Sequence, residues 1–284
     1  MKSILLPTDF SSNSINAINY AHDMFHGEQC EFYLLNVQMA SSFVSDDLMT
    51  LEPSTTIYQN LVETSKNAIT KIVSDVKKKY KQDKHIYHTI VDYDNFIDAI
   101  NHLVQSKNIC LIIMGTKGAT GAEKVLFGSN TVKVIQRNEC PVLAVPKKCK
   151  FKGLKKIAFT SNYLTRYKIE ELKPLTTLGE KFKSKINVLH ITKGEHLTES
   201  QENNRAFLDE CFSNLNHEFI NLANTDLFKT VEHYIDYNDI DLLAMMSRKH
   251  SFLERLFTRH NVETFAFNLT IPFLVMTNTG ELIK

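Results

Sequence analysis

The strongest constraint on this chain is an internal repeat. Moving residues 109–145 forward by 131 positions lays them on residues 240–276 without a gap. In that register Met114 falls on Met245, Glu123 on Glu254, Asn130 on Asn261, Pro141 on Pro272 and Leu143 on Leu274. Identity is low, so duplication is argued from the shared order of elements and the unbroken register. Upstream, residues 156–161 repeat the apolar run at 3–7, and residues 186–191 repeat the run at 31–37. One fold, used twice, accounts for both halves.

The pattern within the first half defines that fold. Residues 3–7, stopped by Pro7-Thr8-Asp9, and residues 31–37 are short apolar runs suited to buried parallel strands. Between them Ser11 and Ser12 can cap a helix whose apolar positions Ile15, Ile18, Ala21, Met24 and Phe25 recur at helical spacing. A polar stretch at 38–53 precedes an amphipathic segment at 57–80. A strand at 85–91, a helix at 95–105, a strand at 109–114, a helix at 131–137 and a last strand at 141–145 follow. Strands alternating with helices of this length imply a parallel sheet with right-handed crossovers. The basic, aperiodic run KKCKFKG at 147–153 reads as a linker. The expected fold class is therefore α/β: two tandem Rossmann-like domains, 1–147 and 154–284, each a five-stranded parallel sheet with helices on both faces.

Composition excludes several function classes. A net charge of +1, from 33 basic and 32 acidic residues, leaves no electrostatic footprint for nucleic acid or an anionic membrane. The start, MKSILLPTDF, lacks the features of a signal peptide, and no apolar run is long enough to span a bilayer. A cytoplasmic location is expected. The five cysteines never form a CxxC pair; Cys30, Cys110 and Cys140 read as reduced packing residues and Cys149 as an exposed linker residue. His22 and His26 stand at a metal-binding spacing, but no third ligand can be named, so they read as surface histidines. His85 and His88 point to opposite strand faces and cannot share a metal. No GxSxG elbow, RNA-stacking motif or carboxylate cluster is present.

One loop carries chemistry. After the strand LIIMG come Gly115-Thr116-Lys117-Gly118, nine residues, then Gly128-Ser129-Asn130-Thr131 leading into a helix. Glycine tolerates positive φ and lets backbone amides approach a phosphate without an intervening Cβ. A Gly-Ser helix start adds free amides and the positive end of the helix dipole. Ser129 and Thr131 add hydroxyls, and Lys117 adds a cation. The result is an anion cradle at the carboxyl edge of the sheet, where open α/β folds bind ligands. Neither GxxxxGK[ST] nor GxGxxG occurs.

The motif G-x2-G-x9-G-[ST], following a first strand that ends in Pro-Thr-Asp, closely resembles the universal stress protein family, and the resemblance extends over both halves. It implies an ATP-binding protein with a regulatory or stress-response role. By that resemblance Gly115, Gly118, Gly128 and Ser129 hold the phosphates, Asp9 lies near the ribose, and Val37 meets adenine through its backbone. Pro7, Thr8, Met114, Thr116, Lys117, Gly121, Asn130 and Thr131 complete the expected set, with Mg as a companion to ATP. The turn residues also have a plainer reading: Asp9 as a cap for the first helix, Val37 as core, the glycines as turns. No general base is placed for an attacking water, so catalysis is not expected.

The second half departs from this pattern. In the same register Gly115 becomes Met246, Gly118 becomes Lys249, Gly128 becomes Arg259 and Ser129 becomes His260, while Asn162 stands opposite Asp9. No ATP site of the usual kind is expected there; the half is a degenerate partner completing an intrachain pseudo-dimer. The strands at 141–145 and 272–276 are candidates for the join, and a homodimer and an unnamed protein partner fit the same reading. Two rivals stand beside it: an ATP-using transferase or hydrolase of the same fold, and a nucleotide-free scaffold binding a small anionic or apolar ligand in the second half.

Overall fold

The computed structural model describes all residues except 39–53, 82–83, 94, 117–126, 193–195, 224–226, 248–269 and 279–284. Two compact units divide at Cys140 and Pro141.

In the first unit the expected elements form in the expected order: β1 (Lys2–Pro7), α1 (Ser12–Met24), β2 (Cys30–Val37), α2 (Ser54–Lys79), β3 (Ile86–Asp92), α3 (Phe96–Ser106), β4 (Leu111–Gly115) and α4 (Ser129–Arg137). β1 lies between β2 and β4, and β2 pairs β3, all parallel. The register sets Ile4 against both Phe32 and Leu111, three apolar residues buried across one sheet. Helix α1 starts where the sequence allows: Ser11 Oγ accepts from Ser14 N at 3.2 Å, satisfying one of the free amides of the first turn. Ile18, Ala21, Met24 and Phe25 are buried, but Ile15 is 37% exposed, so the apolar stripe is one residue narrower than its spacing implies.

In the second unit β6 (Lys156–Thr160), α5 (Ile169–Phe182), β7 (Lys185–Thr192), α6 (Glu199–Cys211), β8 (Asn216–Ala223), α7 (Leu227–Asn238), β9 (Leu242–Ser247) and β10 (Phe273–Thr277) repeat the program. β6 lies between β7 and β9, β7 pairs β8, and β9 pairs β10, again all parallel. The 131-residue register places β9 and β10 where β4 and β5 (Val142–Val145) require them.

β5 modifies the expectation of two purely parallel sheets. It runs antiparallel to β10, with Ala144 opposite Phe273, Leu143 opposite Leu274 and Val142 opposite Val275. The two terminal strands thus pair as their sequences suggested. This pairing draws β5 into the second compact unit and sets the division ahead of Lys147, where the first domain was expected to end. β5 and β10 are buried almost throughout, which removes two apolar edges that would otherwise template aggregation. Among the described residues no helix is long and apolar enough to cross a membrane.

Candidate functional site

Two loops at the carboxyl ends of β1 and β4 build the candidate site in the first half. The β1 turn is fastened by its own polar side chains. Thr8 N donates to Leu35 O at 2.8 Å, extending the β1–β2 ladder past Pro7. Thr8 Oγ1 then accepts from Phe10 N at 3.1 Å and lies 3.0 Å from Ser14 Oγ, while Asp9 Oδ1 accepts from Ser11 N at 3.1 Å. These bonds hold Phe10 at φ 63, a left-handed conformation that costs an ordinary residue about 1 kcal/mol. Thr8 is buried and committed to the turn, whereas Asp9 is exposed.

The end of β2 is tied to the same turn. Asn36, buried, donates Nδ2 to Thr8 O at 2.7 Å. Gln38 Nε2 donates to Asn36 Oδ1 at 2.7 Å and to Ser65 Oγ of α2 at 3.0 Å, and Gln38 N donates to Asp92 O at 2.9 Å. Four elements therefore converge around Val37, which is half-buried between these anchors.

The second loop requires glycine for a reason other than positive φ. Neither Gly115 nor Gly128 is left-handed; Gly128 is the cap of α4 at φ −66. At Gly115 the constraint is space, because a Cβ would lie 2.7 Å from Asn13 Nδ2 and 2.8 Å from its Cγ. Among the described residues no side chain caps α4 at Gly128, the position where first-turn amides have no partner within the helix. Gly128 N closes the loop on Thr116 O at 2.6 Å. Thr131 does not serve as an exposed donor: it is buried, and its Oγ1 donates to Gly115 O at 2.9 Å, locking helix to strand. Ser129 and Asn130 are exposed. Met114 and Pro7 are buried strand ends, and Thr116 is buried as well. Lys117, Gly118 and Gly121 lie outside the described residues.

The exposed groups at this carboxyl edge are thus the Asp9 carboxylate after β1 and Ser129 and Asn130 at the start of α4.

The second half preserves the first turn and changes its charge. Ser161 Oγ accepts from Tyr163 N at 3.2 Å, Asn162 Oδ1 accepts from Leu164 N at 3.1 Å, and Tyr163 sits at φ 55. Ser161 N donates to Leu189 O at 3.0 Å, as Thr8 N does to Leu35 O. His190 takes the place of Asn36, its Nδ1 donating to Ser161 O at 3.0 Å. The difference is what fills the space. Tyr163 is fully buried, stacked on His190 at 4.6 Å, and its carbonyl accepts from Asn204 Nδ2 of α6 at 2.7 Å. Its hydroxyl is buried and meets no hydrogen-bond partner among the described residues, and burial pushes its pKa up to about 12. Met246 stands at the Gly115 position, and α5 starts later than α1: Thr8 aligned on Ser161 sets Ser12 on Thr165, but the helix begins at Ile169. Lys249, Arg259 and His260 lie outside the described residues.

The histidines and cysteines behave differently from their sequence reading in three places. His22 is a core residue, not a surface one: its Nδ1 donates to Ile18 O at 2.7 Å and its ring stacks on Tyr87 and Tyr80. The aromatic wall of Phe32, Tyr80 and Tyr87 gives an imidazole this apolar seat. Cys110 is exposed and Cys149 is half-buried rather than exposed, while Cys30 and Cys140 are buried as expected. Among the described residues no group of three His, Cys, Asp or Glu is placed to hold a metal.

Two units built from parallel strands alternating with helices, with equivalent turns after β1 and β6, define an α/β protein of Rossmann-like architecture. The universal stress protein family model matches residues 1–146. The chain belongs to the universal stress protein family. It is 31% identical over 146 residues to universal stress protein MJ0531 of Methanocaldococcus jannaschii, covering 51% of this chain and 82% of that protein. It is 27% identical over 145 residues to universal stress protein YxiE of Bacillus subtilis, covering 50% of this chain and 97% of that protein. A universal stress protein structure from Archaeoglobus fulgidus superposes over 97% of this chain and 96% of its own, with a TM-score of 0.70 at 16% identity, so the likeness in fold spans both halves.

Proposed function

We propose that this protein is an ATP-binding universal stress protein with a regulatory role, in which only the first half holds nucleotide. The observation that carries the reading is the helix start at Gly128: an α4 N-terminus with no side-chain cap and exposed Ser129 and Asn130, closed against a strand end that tolerates no side chain at position 115. Gly115, Gly118, Gly128 and Ser129 take the phosphates, with Lys117 and Mg balancing their charge; Asp9 takes the ribose and Val37 the base. The protein binds and signals rather than turning over substrate. Nucleotide occupancy biases its conformation or its choice of protein partner, and the second half serves as an intrachain partner within a cytoplasmic protein that also forms homodimers.

Calorimetric titration of ATP into the full chain tests this. One equivalent of ATP binds, and Gly128→Arg, the residue the second half carries in the same register, abolishes it. Two equivalents, or one that survives Gly128→Arg, would refute the assignment to the first half. A purified protein carrying an unrelated small molecule and no affinity for ATP would favour a scaffold.

A further inference from the structure

The second helix of each half, α2 in the first and α6 in the second, presents an outer face of opposite charge. On α2, Ile69, Val73 and Val76 are buried and the opposite face is exposed. That face carries Lys71 and Lys78, with Lys81 just past the helix end, beside a shallow groove lined by Thr70, Val73 and Ser74. On α6 only Asn204 and Leu208 are buried, and the face around the exposed Ala206 carries Glu199, Glu202 and Glu210. Among the described residues none of these six side chains meets an opposite charge within ion-pair distance. Helix stability accounts for part of the pattern, since lysines suit a helix C-terminus and glutamates an N-terminus. It does not account for Glu210, a carboxylate in the last turn of α6, or for Lys71, which stands two turns before the end of α2.

The two sets of charge also share a spacing when read in opposite directions. From Lys81 back to Lys78 is three residues and from Lys78 back to Lys71 is seven; from Glu199 to Glu202 is three and from Glu202 to Glu210 is eight. At the helical rise these spans are about 15 Å and about 17 Å. Ser74 lies seven residues from Lys81 and Ala206 seven from Glu199, so an antiparallel pairing brings two small residues together at its centre, where they let the backbones approach. We propose that α2 of one chain docks antiparallel on α6 of a second copy, lysines against glutamates, with Ser74 facing Ala206. The net charge of +1 identifies the partner: the chain holds both faces in near balance, and another copy of itself matches each of them without overall repulsion. The inference gives the homodimer proposed above its surface, and it rests on that part of the reading alone, without nucleotide. Exposed ion pairs are individually weak and screened by salt, so the association is weak and salt-sensitive.

Sedimentation velocity of the full chain over a range of concentrations tests this, at low salt and in about 0.5 M sodium chloride, where charges are screened within a few ångströms. The wild type associates at low salt, and high salt weakens the association about tenfold or more. Lys71→Glu with Lys78→Glu, and separately Glu202→Lys with Glu210→Lys, each weaken it about tenfold or more, because attraction turns into repulsion. Melting temperatures stay within a few degrees of the wild type, the four positions being exposed. The chain carrying all four substitutions associates as the wild type does. Its net charge is again +1, so the rescue reads pairing rather than overall charge. Association that is indifferent to salt, or that persists in both paired variants, keeps the homodimer and overturns this surface for it. Lack of rescue in the four-substituted chain overturns the pairing as well. Failure of the homodimer itself looks different: the wild type stays monomeric at every concentration, and the inference falls with it. If heparin then retains that monomer through Lys71 and Lys78, the α2 face takes a polyanion instead.

Discussion

The turn from Thr8 to Ser11 and the turn from Ser161 to Leu164 are the same object put to different uses. Each closes with a hydroxyl accepting from the residue two places on, and each has an Asx side chain doing likewise one step later. Each holds an aromatic residue in the left-handed region. One turn presents an exposed carboxylate, and the other presents an amide and draws its aromatic ring into the core. The geometry of the turn is therefore shared while its exposed side chain and its core filling differ. Divergence in this chain has acted through side-chain charge and the filling of space, not through the backbone of this turn.

The sharpest way to break this comparison is to exchange single residues between the halves. Gly128→Arg carries the largest expected effect, a loss of ATP affinity of about a hundredfold or more, near 3 kcal/mol. The added side chain meets the phosphates at the helix start, and titration against the wild type reads it. Gly115→Ala is expected to cost about 1–3 kcal/mol of folding stability through overpacking against Asn13. Denaturant unfolding measures this, and Asn13→Ala in the same chain should restore most of it. If Gly115→Ala is as stable as the wild type, space does not dictate glycine there.

Asp9→Asn copies the second half more gently. Because Asn162 makes the same bond to its turn, stability should stay within about 0.5 kcal/mol of wild type. ATP affinity should fall several-fold from loss of the charge, and a parallel loss of stability would instead make Asp9 a turn residue alone.

The smallest effect is expected in the second half. Tyr163→Phe removes a buried hydroxyl that meets no partner among the described residues and should raise stability by about 1 kcal/mol. The sign of its pH dependence follows from a folded pKa pushed up from 10.0 to about 12. The unfolded tyrosine ionises first, so its contribution is intact below pH 10 and is lost as pH rises toward 12. Melting curves across that window should fall less steeply for Tyr163→Phe than for the wild type.

Much of this was legible beforehand because buried strands and amphipathic helices leave periodic traces. The order of β1 to β4 and the equivalence of β4 with β9 followed from apolar runs and one register. The antiparallel pairing of β5 with β10 did not, since an apolar strand reads alike in either direction. The middle of the second half was also silent: β8 alternates exposed and half-buried positions, and α6 buries only Asn204 and Leu208. At the candidate site the reading of Gly115 as a residue of positive φ missed its actual constraint, the crowding by Asn13, because a crowded neighbour is a tertiary fact. Phe10 gave no sign of its conformation, aromatics being poor candidates for the left-handed region. The bond between Gln38 and Ser65 was not legible because 27 residues separate them in sequence, and a polar residue at a strand end reads as the start of a loop.

The seam between β5 and β10 bears on how the chain can be taken apart. A protease nick in the basic stretch at 147–153 would cut the covalent thread yet leave Val142–Ala144 laced into Phe273–Val275. The fragments would co-purify. Expressed alone, the amino-terminal fragment would carry an orphaned sticky border and seek a second copy of itself, so its behaviour in solution would report on that border before it reported on any ligand.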